Sequence, residues 1–265
     1  MDTKLHQNAR AAGVAFSLDR PEEAATQYER ALERARARDD ATAIGDYGYD
    51  LAVAQLAANH PKQALATVRM TRNELARRGV VSFPELDLAE ATALYRLGEK
   101  AASNSLATKV AAGNDPASAA RARFLQGLIA DETGDAAGLD AAITYRSQPA
   151  STDQQADEDE LLARRDLRRG DFNAAIAQAE RCADLRRTGL DYRGMARALS
   201  VAADAEVHAG NTRAAAELYM RAGQSAAAQG DAELARPWLK RAAELGNDPV
   251  ISEAARQAIA ALGKP

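Results

Sequence analysis

Seven turn-forming residues, Asp19, Asn59, Gly98, Gly134, Gly170, Gly210 and Gly230, set the frame of this 265-residue chain. Seven positions before each stands Ala or Gly without exception: Ala12, Ala52, Ala91, Gly127, Ala163, Ala203 and Gly223. Five positions after stand Ala24, Ala64, Ser103, Leu139, Ala175, Ala215 and Ala235, and nine after stand Tyr28, Val68, Ala107, Ile143, Ala179, Tyr219 and Leu239. Twelve after come Ala31, Thr71, Val110, Arg146, Cys182, Ala222 and Ala242. Alanine makes up about a quarter of the chain, so a single match carries no weight, whereas seven in register do. Small columns on both sides of a turn are what a hairpin of two closely approaching helices requires.

Helical periodicity runs between the turns. It predicts helices near 6–18, 21–38, 42–58, 61–78, 84–97, 99–112, 116–133, 136–147, 156–169, 172–188, 191–209, 212–229, 232–245 and 249–262. Pro21, Pro61 and Pro84 fall at or near first helical turns, where a missing N–H costs nothing. Turn spacing is close to forty or thirty-six residues until it drops to twenty between Gly210 and Gly230. There the helix at 212–229 fits two places, as the second of one hairpin and the first of the next. One elongated domain is expected over 1–265, with a possible break near 147–156 and a C-terminal capping helix within 247–265.

The stretch SQPASTDQQADEDE at 147–160 reads as a loop feeding a helix. Asp157, Glu158, Asp159 and Glu160 are expected in the first turn of that helix and Arg164, Arg165, Arg168 and Arg169 in its later turns, which complements the helix dipole. Glu160 and Arg164 form a favourable four-residue pair, and the charged run reads as a solvated face.

Aromatic residues are 5% of the chain, with one Trp, so stability must come from many small interfaces between neighbouring helices. The formal charge of −4 and the lack of a basic tail argue against a nucleic-acid surface. Arg outnumbers Lys, which with the alanine excess is the composition of GC-rich bacterial genomes. One cysteine excludes an intrachain disulfide and a thiol zinc site. No apolar span is long enough to cross a bilayer, so no membrane insertion is expected. The start MDTKLHQNAR lacks the apolar core of a secretory signal, which fits a cytoplasmic chain, or a periplasmic one if a leader was removed.

The segments GDFNAAIAQAERCADL at 170–185, GNTRAAAELYMRAG at 210–223, GDAELARPWLKRAAELG at 230–246 and DRPEEAATQYERAL at 19–32 resemble the tetratricopeptide repeat. The resemblance covers nearly the whole chain and implies an all-α fold, a right-handed superhelix of about fourteen helices. It also implies a protein that binds a peptide or protein surface along a concave side lined by first helices. The third and fourth units depart from the pattern, with Ser103, Leu139 and Arg146 at small positions, and looser packing is expected there. The Lys and Asn set with which some family members clamp a peptide carboxylate has no counterpart in this chain.

No nucleophile elbow, phosphate loop or paired-histidine metal helix is present, so neither enzyme, metal nor cofactor is expected. His6, His60 and His208 lie in different repeats and read as surface or turn residues, and the Gly-Asp and Gly-Asn pairs read as helix C-terminal caps. Cys182 falls in a small-residue column and is expected to be buried, and Tyr28, Tyr219 and Trp238 are expected in the packing between helices.

First-helix positions pointing away from the packing columns give a candidate groove. It comprises Asp46, Tyr49, Val53, Glu85, Thr92, Tyr95, Arg96, Arg121, Phe124, Leu128 and Asp131. It continues through Arg164, Leu167, Arg168, Arg197, Ser200, Asp204 and His208. Aromatic residues beside Arg suit a peptide-binding surface. The favoured reading is a non-enzymatic scaffold for a protein or peptide partner. The alternative is a sensory or regulatory repeat domain that binds a small ligand or self-associates, working with a separate output or membrane-anchored component.

Overall fold

The computed structural model describes residues 3–80, 83–144, 151–245 and 248–263. Among them are fourteen α-helices and no strand. The first six are α1 (Thr3–Ser17), α2 (Pro21–Ala37), α3 (Ala41–Ala57), α4 (Pro61–Arg77), α5 (Pro84–Arg96) and α6 (Lys100–Ala111). Then come α7 (Pro116–Thr133), α8 (Ala136–Thr144), α9 (Thr152–Arg169) and α10 (Phe172–Thr188). The last four are α11 (Tyr192–His208), α12 (Thr212–Ala228), α13 (Ala232–Leu245) and α14 (Pro249–Ala261). Two compact units divide the chain, Met1–Ile129 and Ala130–Pro265. In each, helices that follow one another in sequence pack together, α1 through α6 in the first unit and α8 through α14 in the second.

The turns explain why the helices stop where they do. All seven frame residues adopt positive φ, from 55° at Asp19 to 85° at Gly210, the region that Gly, Asn and Asp tolerate best. At each turn the next amide reaches back five residues to a helix carbonyl, as in Arg20 to Ala15 (2.9 Å), His60 to Gln55 (2.7 Å) and Asp171 to Asp166 (2.9 Å). This is the Schellman closure, which satisfies carbonyls that a helix end would otherwise leave open. Asp39, Gly79 and Leu190, between hairpins, close in the same way through the amides of Asp40, Val80 and Asp191. The Gly-Asp pairs therefore do two things. The Gly ends one helix, while Asp135, Asp171 and Asp231 start the next by accepting from the amides of Gly138, Ala174 and Leu234.

The packing columns are buried as expected. Ala12, Ala52, Ala91, Ala163 and Ala203 are fully buried before the turns, and Gly127 and Gly223 are buried beside them. Gly223 has to be Gly, because a Cβ there would stand 2.5 Å from Leu239 Cγ. Ser103 and Leu139 are as buried as the alanines they replace, so their units are not loose at those points. The Ser103 hydroxyl donates to the Ala91 carbonyl at 2.7 Å, which removes the cost of its burial. Arg146 lies outside the described residues. Cys182 is fully buried and its thiol donates to the Ala156 carbonyl at 3.2 Å, while burial first and then Glu160 push that thiol up to about 12. Tyr219 is buried, and Tyr28 and Trp238 are partly buried against the core.

The helix bounds differ most at α9, which begins at Thr152 rather than near 156. Ser151 caps it by accepting from the Gln154 amide at 3.2 Å. The acidic residues therefore stand in the second and third turns, not the first. Asp157, Asp159 and Glu160 are buried rather than solvated, a correction to the surface reading of this run. The expected break near 147–156 falls partly on residues outside the described ones.

First helices of successive hairpins touch each other, α3 with α5 and α9 with α11. Then the phase changes, and α12, which pairs with α11, also pairs with α13 and touches α14. The short spacing between Gly210 and Gly230 thus marks one helix serving in two hairpins.

Candidate binding surfaces on the first helices

In the N-terminal unit, the turn at Asp39 and the Asp40 cap, which accepts from the Ala43 amide at 3.0 Å, fix where α3 begins. Gly45 and Gly48 let it lie close to its neighbours, since a Cβ at Gly45 would stand 2.4 Å from the Phe83 ring and one at Gly48 2.3 Å from Thr71 Oγ1. With its packing face so placed, α3 presents Asp46, Tyr47, Tyr49 and Asp50 partly or fully to solvent. Burial, then Glu85 and Asp40, raise the Asp46 carboxyl above the usual range. Burial, then Asp46, raise Asp50 to about 6. The phenols of Tyr28, Tyr47 and Tyr49 are raised too, by burial first and then chiefly by these carboxylates.

Among the described residues no Lys or Arg forms an ion pair with Asp46, Asp50 or Glu85. Carboxylates one turn along the chain do have such partners: Asp87 pairs with Arg72 at 2.8 Å and Lys109 at 2.7 Å, and Glu90 pairs with Arg69 at 2.9 Å and with Arg72. Elsewhere on this unit, Tyr95 packs against the cluster around Ala91, and Thr92 donates to the Leu88 carbonyl at 2.9 Å. Arg96 donates to the Leu56 carbonyl. The Arg121 guanidinium lies 4.8 Å from the centroid of the buried Phe124 ring. Val53 is partly buried and Leu128 is buried.

The C-terminal unit uses its first-helix charges differently. Glu160, fully buried, accepts from Arg197 Nε and Nη2, both at 3.0 Å, and from Arg164 Nη2 at 3.1 Å, the pair expected from sequence. Arg186 stands 3.7 Å from the same carboxylate, bonds Asp157, and reaches Asp191 at 3.2 Å. Arg164 also pairs with Asp131 at 2.8 Å, which Arg168 joins. Burial alone would raise the Glu160 carboxyl, but Arg197, Arg164 and Arg186 outweigh it and hold it at about 2. The structure thus brings Asp131, Arg164, Arg168 and Arg197 into one network of internal ion pairs.

Leu167 packs against the core beside this network, and Ser200 is buried with its hydroxyl on the Arg197 carbonyl at 2.7 Å. Asp204 accepts from the Tyr219 hydroxyl, and His208 is exposed, with Nδ1 2.8 Å from the Asp204 carbonyl and its ring stacked on Phe172 at 5.4 Å. His60 sits at its turn with Nε2 2.7 Å from Glu22. The side chain of His6 lies outside the described residues. Sequence reasoning missed Tyr28, Tyr47 and Asp50; the signal was there in the four-residue spacing of Asp46 and Asp50 on one helix face.

A family model described as tetratricopeptide repeat matches residues 216–248. Those residues run from within α12 past the end of α13, so the match lies in the shifted register, with α12 as first helix. No curated protein matches the chain. A solved tetratricopeptide repeat protein from Parabacteroides merdae aligns over 97% of this chain and 100% of its own, with a TM-score of 0.51 and 14% identity. The TPR2AB domain of yeast Sti1 in complex with pHSP90 aligns at TM-score 0.40 and 14% identity, over 97% of this chain and 96% of that one. The C-terminal part of a TPR repeat-containing protein from Cytophaga hutchinsonii aligns at 0.42 and 14%, over 96% and 95%. At this identity the likeness concerns fold alone, and the two lower scores support no further argument.

Proposed function

We propose that this chain, whose fold is that of the tetratricopeptide repeat proteins, is a non-enzymatic adaptor that holds a basic segment of a protein partner against the first helices of its N-terminal unit. The observation that carries this reading is the set of carboxylates at Asp46, Asp50 and Glu85 without a cationic partner among the described residues. A carboxyl raised by burial and by like charges is a site where a cation relieves an existing cost. Lys or Arg side chains of a bound segment supply that cation, and Tyr28, Tyr47 and Tyr49 supply rigid contact area around it.

Asp46 and Tyr49 are the centre of this surface, with Tyr95, Arg96 and Arg121 as flanking candidates, while the buried Phe124 ring backs Arg121. In the C-terminal unit Asp131, Arg164, Arg168 and Arg197 serve first to fix their helices through internal pairs. Asp204 and His208 remain candidate contacts there.

The test uses labelled peptides of equal length and of basic, neutral or acidic composition, titrated into the full chain. Basic peptides are expected to bind, with affinity falling as salt rises. A variant carrying Asp46→Lys and Asp50→Lys is expected to lose that binding while keeping its helical circular dichroism. Equal binding of the three peptide classes, or unchanged binding by the variant, overturns the reading.

A further inference from the structure

α9 is built unlike its neighbours in the first-helix series. It buries four acids, Asp157, Asp159, Glu160 and Asp166, beside Ala156, Leu161 and Ala163, whereas α3 and α11 bury no charged residue and α5 buries one, Glu90. Three of these acids reach fixed places on the next two helices. Asp159 accepts from Arg181 Nε at 3.0 Å and Nη2 at 2.7 Å, and Asp157 accepts from Arg186, both on α10. Glu160 accepts from Arg197 on α11 through two bonds of 3.0 Å. The apolar packing around them is far less particular. α11 carries Ala198 and Ala202, Leu199 and Ala203, and Val201 and Ala205, all buried and each pair about one turn apart. Sliding α11 by one turn against α9 exchanges one small or aliphatic side chain for another at these places, and cores of that kind lose uniqueness before they lose stability. The same slide takes Arg197 away from Glu160 and sets Val201 or Arg193 in its place. Val201 supplies no cation to a fully buried carboxylate, and Arg193 would have to leave Asp231, with which it pairs.

From this contrast we infer that the buried acids of α9 are a register lock, with Glu160 and Arg197 as its central pair. They select the one setting of α10 and α11 against α9 that the alanine-rich packing leaves open. The lock acts through position rather than stability, because a buried pair that matches gains little net free energy while one that is broken costs a great deal. Its service to the array is to fix the offset between two successive first helices. That offset decides which side chains of α9 and α11 stand side by side on the face they share.

The experiment places nitroxide labels on the full chain through Thr152→Cys and Ala209→Cys, exposed positions at the start of α9 and just past the end of α11, and measures their separation by double electron–electron resonance. Cys182 is buried and stays unlabelled. One narrow distance is expected in this background. Adding Glu160→Met and Arg197→Met together removes the central pair, while Arg164 keeps Asp131 and Arg186 keeps Asp157 and Asp191. That variant is expected to retain its helical circular dichroism and a urea midpoint equal to or above that of the parent. Its distance should nevertheless broaden or split, with an offset of up to about 5 Å, the rise of one helical turn. Replacing the exposed pair Arg213 and Glu217 by Met should leave the distance single. An unchanged single distance in the Glu160→Met, Arg197→Met variant overturns the inference, because packing alone then sets the register. A loss of helix or a lowered urea midpoint overturns it too, because the pair then supports the fold rather than choosing among settings of it; so does equal broadening in the exposed-pair control. Peptide binding by the N-terminal unit enters none of these readouts, so this inference and the adaptor reading fail separately.

Discussion

Arg197 grips Glu160 with two nitrogens at 3.0 Å each, joining α11 to a carboxylate of α9 that water does not reach. Arg164 and Arg186 approach the same group, so one buried anion organises guanidinium groups from three helices. Such a centre fixes spacing between hairpins more than it adds net stability, because its desolvation offsets much of its attraction.

Breaking the centre from the acid side is therefore costly. Glu160→Gln leaves three guanidinium groups facing a neutral amide, and unfolding in urea should show a loss of about 3–5 kcal/mol. A smaller loss, under about 1 kcal/mol, would mean that water enters and screens the arginines.

The two units should respond to acid in opposite directions. Glu160 is lowered from 4.5 to about 2, so its contribution is complete above the unfolded value and is lost as pH falls from about 4.5 toward 2. Asp50 is raised from 3.8 to about 6, so its ionisation opposes folding, and protonating it between pH 6 and 4 relieves the N-terminal unit. Asp50→Asn should raise the melting temperature at pH 7 and have little effect at pH 4. The same ionisation governs the proposed binding of basic peptides, which should weaken as pH falls from 7 to 5.

Two glycines should answer Ala substitution with opposite signs. At Gly223 the added methyl meets Leu239 Cγ at 2.5 Å and the Ala235 carbonyl oxygen at 3.2 Å, and overpacking of this kind costs about 1–3 kcal/mol. At Gly13, within α1, nothing lies within 4 Å, and better helix propensity should add up to about 1 kcal/mol. Thermal melts of the two variants check both.

Leu190 holds φ at 61° in a turn where most of its counterparts are Gly, Asp or Asn. It is exposed, so little packing is lost when its side chain is removed. Leu190→Gly should stabilise by about 1 kcal/mol, since the left-handed region costs an ordinary side chain 1–2 kcal/mol and Gly returns part of that as entropy. A fall in melting temperature would show that the leucine packs more than its exposure suggests.

What could be read in advance follows from what each feature depends on. A left-handed turn needs Gly, Asn or Asp at one position, and a close helix approach needs a small residue at another, so Asp19, Gly170, Ala163 and Ala175 announced the hairpins through residue type alone. Leu190 announced nothing, because its conformation is imposed by the helices on either side. The start of α9 was hidden because Thr152 to Gln155 is polar throughout, and its evidence lies in the Ser151 cap rather than in apolar period. The Glu160 centre was hidden for a different reason. Its cations come from positions 164, 186 and 197 on three helices, and a run of charges looks solvated until tertiary packing closes over it. For the binding surface, Asp46 and Tyr49 were visible as first-helix residues, but only structure separates carboxylates left without a cation from those, like Asp87, already engaged.

The double duty of α12 has a consequence for any ligand that follows the array. Alternate-helix contacts join α3 with α5 in the N-terminal unit and α9 with α11 in the C-terminal one, and then α12 with α14, so in the C-terminal unit the series steps from odd-numbered to even-numbered helices. An extended segment laid along the odd series in the C-terminal unit reaches the end of its track at α11. The last three helices form a series of their own, offset from it by one helix.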